Sequence, residues 1–521
     1  MNRAGSLALI FLGLLAFANA IQHPFVHDDV VFILQNPHIA ELKGCLEAFK
    51  GAAASGGINT YYRPVLEVLY RLEYRLFGPH PSGFHLFNIM VHIANGLLLF
   101  SLLQKLMLRE ALAWLIACIF LIHPVQTEAV CCISGISNLW MAFGVLLALN
   151  AYVDKRYVIS AAFFVMAFLS KEQGILFVPL VMVIDCYRKE KNFSSWACWI
   201  VAACLLLWLR QNITGASLFK DIMVSPGELY LRLECIPRVL GMDLRLIVFP
   251  YDLHYYRSTD ILQSNAVAWW LALICISGIF YLHHRWSQAR PTLILGLGWF
   301  LAALLPVLNI APLINEYSFI LTSEHFLYLP IVGILIIAVI TADHYLKYFR
   351  RPLLGIVISG CLFLTWYQNT FWRSETALFE RMLLFEPDFG RGHLLLAKVY
   401  YSNGQPEQAE KHFAKAFVIM ASYVKKAYNP TAEKFYLGFE KEILFDWAHN
   451  DSAMGHWAQA LDKYKRAAII DGKDASLYNN MAFVYLHMGD KKDAYLSLEQ
   501  ALRVDPSFAQ ARSNLIRLGK P

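Results

Sequence analysis

The sequence predicts an all-α protein in two parts. The first is a polytopic transmembrane helical module of about eleven spans, with room for one re-entrant segment, and the second is a soluble α-solenoid. Three observations carry this reading. Hydrophobic residues make up 57% of the 521 and the mean hydropathy is +0.44, too apolar for a soluble chain. Runs such as 111–122 and 331–340 hold almost no charge, as a hydrocarbon core requires. Beyond Trp372 the pattern becomes that of soluble helices, and it repeats. The formal charge of +6 fits basic loops between spans and gives no reason to invoke nucleic acid. Ten cysteines are scattered, mostly inside apolar runs, with no CxxC pair, and the vicinal Cys131-Cys132 is too close for a relaxed disulfide.

Taken in order, residues 4–21 form an apolar run behind Arg3, and Ala18-Asn19-Ala20 matches a signal-peptidase site, so cleavage is one option and a retained span the other. Residues 22–83 are polar enough for a long outer loop, with Gly56-Gly57 as a flexible point. Within it, Val65 to Leu76 is amphipathic. Its Tyr70, Tyr74 and Phe77 beside Arg63, Arg71 and Arg75 suit a helix lying in the membrane interface.

Spans follow at about 84–103, from 111 to His123, before Asp154-Lys155-Arg156, up to Ser170, before Arg188-Lys189-Glu190-Lys191, and up to Arg210. The Lys/Arg bias puts the basic loops inside. The connections His123 to Asn138 and Ser170 to Gly174 then lie outside. Leu231 to Pro250 is apolar but carries Arg232, Glu234, Arg238, Asp243 and Arg245, which suits a re-entrant or protein-buried segment better than a lipid-facing one. Spans at 269–281, 293–308, 326–342 and 353–366 complete the module. An outer loop holds Asn315, Glu316 and Glu324, and basic inner loops hold His283-His284-Arg285, Arg290, Lys347, Arg350 and Arg351. Residues 373–521 then stand outside, after a module of 1–372.

In the second part Ala482, Tyr485, Gly489, Ala494, Leu498, Ala501 and Pro506 match a tetratricopeptide unit in order and spacing. Ala448, Gly455, Ala460, Tyr464 and Ala467 repeat the pattern 34 residues earlier. Ala397, Tyr400, Gly404, Ala409, Phe413 and Ala416 form a further unit, and Thr376 to Pro387 half of another. Small residues where helices cross and glycine in the turn are what stacked helix pairs need. The unit from Ala421 to Gly438 is irregular and is left unassigned.

Several polar motifs stand at outer span ends, where burying charge is costly unless it serves a site or finds a partner. Asp28-Asp29 offers a general base and its partner, or a metal-ligand pair; a solvated loop or helix cap is the plainer account. Tyr61-Tyr62-Arg63-Pro64 joins phenols to a guanidinium that can grip a phosphate or snorkel to headgroups. His123-Pro124-Val125-Gln126-Thr127-Glu128 and Lys171-Glu172-Gln173-Gly174 add ionisable groups, and Lys171 beside Glu172 also reads as a simple ion pair. His85, Asn88 and His92 share a face of the second span and suit interhelical hydrogen bonds. Glu324 enters a span as another isolated acid.

Five motifs in this order resemble one family: His27-Asp28-Asp29, Tyr62-Arg63-Pro64, His123-Pro124 with Thr127-Glu128, Lys171-Glu172-Gln173-Gly174, and Glu324 before Leu327-Tyr328-Leu329-Pro330. With the repeats behind them, the chain resembles the transmembrane O-mannosyltransferases with tetratricopeptide repeats, which are glycosyltransferases of the GT-C fold. The array is shorter than in the animal proteins, pointing to a prokaryotic relative, and His325 stands where the family usually has Arg. The resemblance implies inverting transfer of a mannose or similar hexose from a polyprenyl-phosphate donor to Ser/Thr hydroxyls of exported proteins. Asp28 would be the base and Asp29 would orient it or hold a divalent cation. Arg63 and Lys171 would neutralise the departing phosphate, while Glu324 and His123 would shape the sugar or phosphate pocket. The repeats would dock the acceptor polypeptide. The setting would be the periplasmic face of a bacterial inner membrane, or the lumenal face of the endoplasmic reticulum in a eukaryote, where Asn212-Ile213-Thr214 would be a glycosylation sequon. Two other readings stay open: a transferase acting on a lipid or polysaccharide, and a membrane-anchored repeat scaffold with a dead site.

Overall fold

The computed structural model describes residues 3–51, 62–107, 109–190, 192–214, 226–257, 277–278, 281, 290–308, 322–345, 350–427 and 430–519. Every regular element among them is helical, with no strand among the described residues. Tyr61, Gly56-Gly57, most of the 269–281 span, His283 to Arg285, Asn315, Glu316 and Lys347 lie outside them. The chain separates into two compact units, Met1–Ser374 and Glu375–Pro521.

The helices of the first unit are α1 (Arg3–Phe17), α2 (Pro64–Phe77), α3 (Pro81–Met107), α4 (Glu110–Ile122), α5 (Thr127–Cys131), α6 (Ile136–Val153), α7 (Tyr157–Ser170), α8 (Phe177–Arg188), α9 (Phe193–Thr214), α10 (Pro226–Val248), α11 (Arg290–Leu304), α12 (Ile331–Tyr345) and α13 (Arg350–Asn369). The expectation of about eleven spans is corrected in part. Four described helices are long and apolar enough to cross a membrane: Arg3–Ala20, Pro81–Leu106, Ile133–Val153 and Phe193–Ile213. A fifth crossing arises if Glu110–Ile122 and Pro124–Cys131, bent by 52°, count as one. Tyr157–Ser170, Pro291–Val307 and Ile331–Tyr345 are apolar but short. At 1.5 Å per residue a 15-residue helix covers only about 22 Å of a core about 30 Å thick. The shortening has a local cause, because the polar motifs at 123–126, 171–176 and 322–327 stop the helices early and turn into 3₁₀ segments. α10, with Pro237 inside it, is not among the spanning helices.

Within this unit polar side chains sort to opposite ends of the helices. Lys105 pairs with Asp154 at 2.8 Å, Arg109 with Asp343 at 2.5 Å, and the Tyr187 hydroxyl donates to the Leu106 carbonyl. The α3–α4, α6–α7 and α8–α9 turns and the end of α12 therefore share one end. The motifs at 123–131, 171–174 and 322–325 stand at the other ends of the same helices. α1 runs from Gly5, whose carbonyl accepts from Trp114, to Ala16, whose carbonyl accepts from Asn369. Asn19 bonds Trp366 and Asn369, so the signal-peptidase-like tripeptide is folded against α13, and cleavage there would sever these bonds.

In a bilayer apolar burial does not select one helix packing over another, so buried hydrogen bonds between helices help fix it. Asn95 donates to the Leu139 carbonyl and the Tyr328 hydroxyl, and His92 bonds Tyr328 at 2.7 Å. α2 is present where the amphipathic pattern places it, with Pro64 at its first turn. Its Arg71 differs from the expectation: the guanidinium is buried and holds the carbonyls of His38 and Glu41 and the Glu67 carboxylate, not headgroups. Ordering the 38–41 loop is the physical return for burying that charge.

The second unit holds α14 (Glu375–Phe385), α15 (Gly390–Ser402), α16 (Pro406–Lys425), α17 (Pro430–Ala453), α18 (Trp457–Ile470), α19 (Ala475–His487), α20 (Lys491–Val504) and α21 (Ala509–Leu518). The alanines of the repeat pattern are buried where helices meet: Ala397, Ala409 and Ala416, then Ala448, Ala460 and Ala467, then Ala482, Ala494 and Ala501. The irregular 421–438 stretch is explained. Gly404 and Gly455 are 51 residues apart against 34 for Gly455 and Gly489, and the excess is taken up by a 20-residue α16 and a 24-residue α17. Gly489 turns the chain at φ +85°, which a Cβ resists. Gly489→Ala is expected to cost this unit about 1 kcal/mol and lower its melting midpoint, read by circular dichroism.

Candidate functional site

The five motifs supply one electrostatic neighbourhood in the first unit. Asp28 and Asp29 diverge in it. Asp29 is fully buried, and its oxygens accept the backbone N–H groups of Ser134 at 2.7 Å, Val26 at 3.2 Å and Ile133 at 3.3 Å. Burial pushes its carboxyl up to about 6, against those hydrogen bonds. Asp29 thus ties the 26–34 segment to the turn after α5. The Asp28 side chain is 40% exposed, and its carboxylate lies 3.5 Å from His27 Nε2. His27 is held at φ +52°, unusual for a residue with a Cβ, and its ring meets Tyr255 edge-on. Asp28 is therefore the open member of the pair and Asp29 the anchored one. Amide donors on both Asp29 oxygens suit a carboxylate acting as a brace, and they do not fit the shared cation held out by the sequence. No group of three or more His, Cys, Asp or Glu among the described residues is placed to hold a metal ion.

Arg63 immediately precedes α2 and reaches Glu172 with two bonds, 3.1 Å from Nε and 2.6 Å from a terminal nitrogen. The Glu172 carboxyl is buried, and burial alone would raise its pKa. The Arg63 guanidinium, helped by Arg210 and Lys171, outweighs this and holds it at about 2. Lys171 donates to Asn138 at 2.6 Å, and burial with the nearby Arg63 charge lowers its pKa to about 7. Arg63 thus holds the carboxylate directly and Arg210 and Lys171 act on it electrostatically, so the direct ion pair of Glu172 is with Arg63 rather than with the adjacent Lys171. Tyr62 turns away and donates to the Phe49 carbonyl.

Glu128 and Glu324 stand at the entry to α12. Glu128 accepts the Ser323 hydroxyl at 3.0 Å on both oxygens, the His325 N–H at 2.9 Å and His325 Nδ1 at 2.8 Å. Glu324 accepts the His254 N–H at 2.6 Å and both terminal nitrogens of Arg257 at 3.3 Å, all on Oε1. Burial raises its pKa, Arg257 opposes and Glu128 adds. His123 is committed elsewhere. Its Nε2 donates to the Ile247 carbonyl and its Nδ1 accepts the Val125 N–H, so it fastens the end of α10 and leaves no ring nitrogen for a sugar.

Sequence reasoning missed Arg257, His254, Asn138 and Ser323 at this site, whereas it flagged Asp243 as a charge within an apolar run that needs a partner. It is fully buried and accepts the Thr322 hydroxyl at 2.7 Å, while Arg245 grips Asp252 with two 2.8 Å bonds. These partners anchor the C-terminal end of α10, at Asp243 and Arg245, within the unit, while Leu233 and Val248 on the same helix are exposed. Arg257 gave no signal, because its loop has no periodicity. The Lys171–Gly174 turn packs tightly, and a Cβ on Gly174 would stand 2.7 Å from the Ala167 carbonyl carbon. Gly174→Ala is expected to displace Lys171 and to cost about 1–3 kcal/mol, seen as a lower melting midpoint in detergent.

A tetratricopeptide-repeat family model matches residues 475–508. A protein O-mannosyl-transferase of Caenorhabditis elegans is 26% identical over 450 residues, covering 80% of this chain and 63% of that protein. One from Homo sapiens is 26% identical over 494 residues, covering 77% and 63%. One from Mus musculus is 22% identical over 576 residues, covering 96% and 61%. The chain thus spans under two thirds of the length of these relatives. Among solved structures, MamA aligns with a TM-score of 0.23 at 19% identity over 27% of this chain and 74% of its own, too weak a likeness to argue from. The homologues bear the name of the family that the motifs resemble.

Proposed function

We propose, with homologues named protein O-mannosyl-transferases as the premise, that the chain is an inverting glycosyltransferase of the GT-C class. It moves mannose or a similar hexose from a polyprenyl-phosphate donor to Ser/Thr hydroxyls of exported proteins at the outer membrane face. The observation that carries the reading is the cluster of Arg63, Lys171 and Arg210 around Glu172. Its excess positive charge, partly desolvated, suits a phosphate. The Lys171 amine, weakened by burial and by Arg63, regains its proton affinity when an anion arrives.

In the proposed step the acceptor oxygen bonds to the sugar C1 while its proton passes to the Asp28 carboxylate. The bond from C1 to the phosphate oxygen breaks, and its electron pair leaves with the lipid phosphate. Attack from the face opposite the leaving group inverts C1. Arg63 and Lys171 neutralise the charge that grows on the phosphate. Asp29 braces the segment that presents Asp28, and Glu324, with Oε1 anchored, lines the sugar pocket. The repeats dock the acceptor, as stacked helix pairs do for extended chains.

The test is the mass of outer-face proteins from cells carrying the wild-type chain or Asp28→Asn. Loss of a hexose-sized increment from particular Ser or Thr peptides in the variant is the expected result. Identical spectra would overturn the protein-acceptor reading.

A further inference from the structure

His325 has a feature that the transfer scheme leaves unused. Residues 322–325 lie against the 123–131 motif, and the buried Glu128 carboxylate takes both the backbone N–H and the Nδ1 of His325. A carboxylate only accepts, so the ring carries a proton on Nδ1. In the neutral ring Nε2 then holds the lone pair. No hydrogen bond to Nε2 is found among the described residues. The side chain is 12% exposed, on an imidazole whose ring plane Glu128 fixes.

The charges that face the ring are Glu128 from the 123–131 motif, Lys171 from the turn after α7, and Arg63 from the start of α2. Its neighbour Glu324 is turned onto Arg257. Burial lowers the ring's pKa most, Lys171 and Arg63 lower it further, and Glu128 opposes them. His325 therefore favours the neutral imidazole beside cations. An anion between them reverses the local field and favours imidazolium.

We propose that His325 is a proton-coupled phosphate ligand: a phosphodiester binding beside Lys171 and Arg63 draws one proton onto Nε2, which then donates to a phosphate oxygen. The inference rests on the phosphate-site reading above. The proton comes from solvent and no covalent bond changes. Nδ1–H stays on Glu128, which fixes the ring plane, and Nε2–H points to the oxygen where charge accumulates as the lipid phosphate departs. The free ring holds its proton weakly and the liganded ring holds it tightly. Affinity therefore rises as pH falls between the two pKa values, by about tenfold per pH unit, and is flat outside that interval.

Methyl farnesyl phosphate is a suitable probe, because a diester keeps one charge between about pH 5 and 8, where histidine titrates. Its binding to the full chain in detergent is measured by calorimetry in two buffers of different ionisation heat. Wild-type protein is expected to take up close to one proton per diester at His325 within the coupled interval, beyond the share that goes to Lys171. His325→Arg should bind with about one proton fewer taken up, only the Lys171 share remaining. His325→Gln should bind more weakly with the same reduced uptake, and Glu128→Gln, which frees Nδ1, should also reduce uptake. Diester binding with the same proton uptake in the wild type and in both His325 variants overturns the proposal and leaves the phosphate reading standing. No diester binding to a wild-type chain that is folded by circular dichroism overturns both.

Discussion

Asp28→Asn is expected to lower transfer by about 10²–10⁴-fold, the usual worth of a positioned general base, while membrane insertion and melting midpoint stay close to wild type. The side chain is part-exposed and has the weak 3.5 Å contact to His27, so an amide of the same shape removes proton affinity and little else. Asp29→Asn should behave differently. Its carboxylate accepts three backbone N–H groups, and an amide nitrogen can accept none of them. Loss of thermal stability along with activity is the expected outcome there. Turnover assays and melting curves on the two variants separate the roles. Full turnover by Asp28→Asn would remove it as the base.

Arg63→Ala should be the most destabilising single change at the site, by about 3–5 kcal/mol, because it removes both hydrogen bonds and the nearest countercharge of the buried Glu172 carboxylate and leaves only the weaker influence of Arg210 and Lys171. Folding stability would then become pH-dependent. With Arg63 present the carboxyl is held at about 2, so the stability it lends is full above the ordinary carboxylate range and is lost only as pH falls toward 2. Without Arg63 the carboxyl rises and the variant should regain stability as pH is lowered. The double variant Arg63→Ala/Glu172→Ala should recover much of the stability by removing the orphaned charge, yet still fail to bind a lipid phosphate. Thermal melts in detergent and diester binding read the two effects separately. Donor binding retained by the double variant would show that the pair is only structural.

Much of the site was legible because charge is costly near a membrane. A side chain such as Lys171 or Glu128 at the end of an apolar run has to find a partner or serve a ligand, and motif order could be read along the chain. Which partner it finds could not. Lys171 and Glu172 are adjacent in sequence, yet Glu172 binds Arg63 from 109 residues away and Lys171 binds Asn138. His123 has the residue type of a ligand, but both ring nitrogens are spent on backbone. Span length was overread, because hydropathy does not see where a polar motif diverts a helix into a 3₁₀ turn.

By itself the sequence determined the all-helical class, the apolar module followed by repeats, and the repeat register, since hydropathy and periodicity are local properties of a chain. Only the tertiary structure decided that Asp28 is open while Asp29 is a brace, that Arg257 holds Glu324, and that Glu128 fixes the tautomer of His325. Those outcomes depend on donors and acceptors contributed by distant segments, and their pairing is settled by how the helices pack.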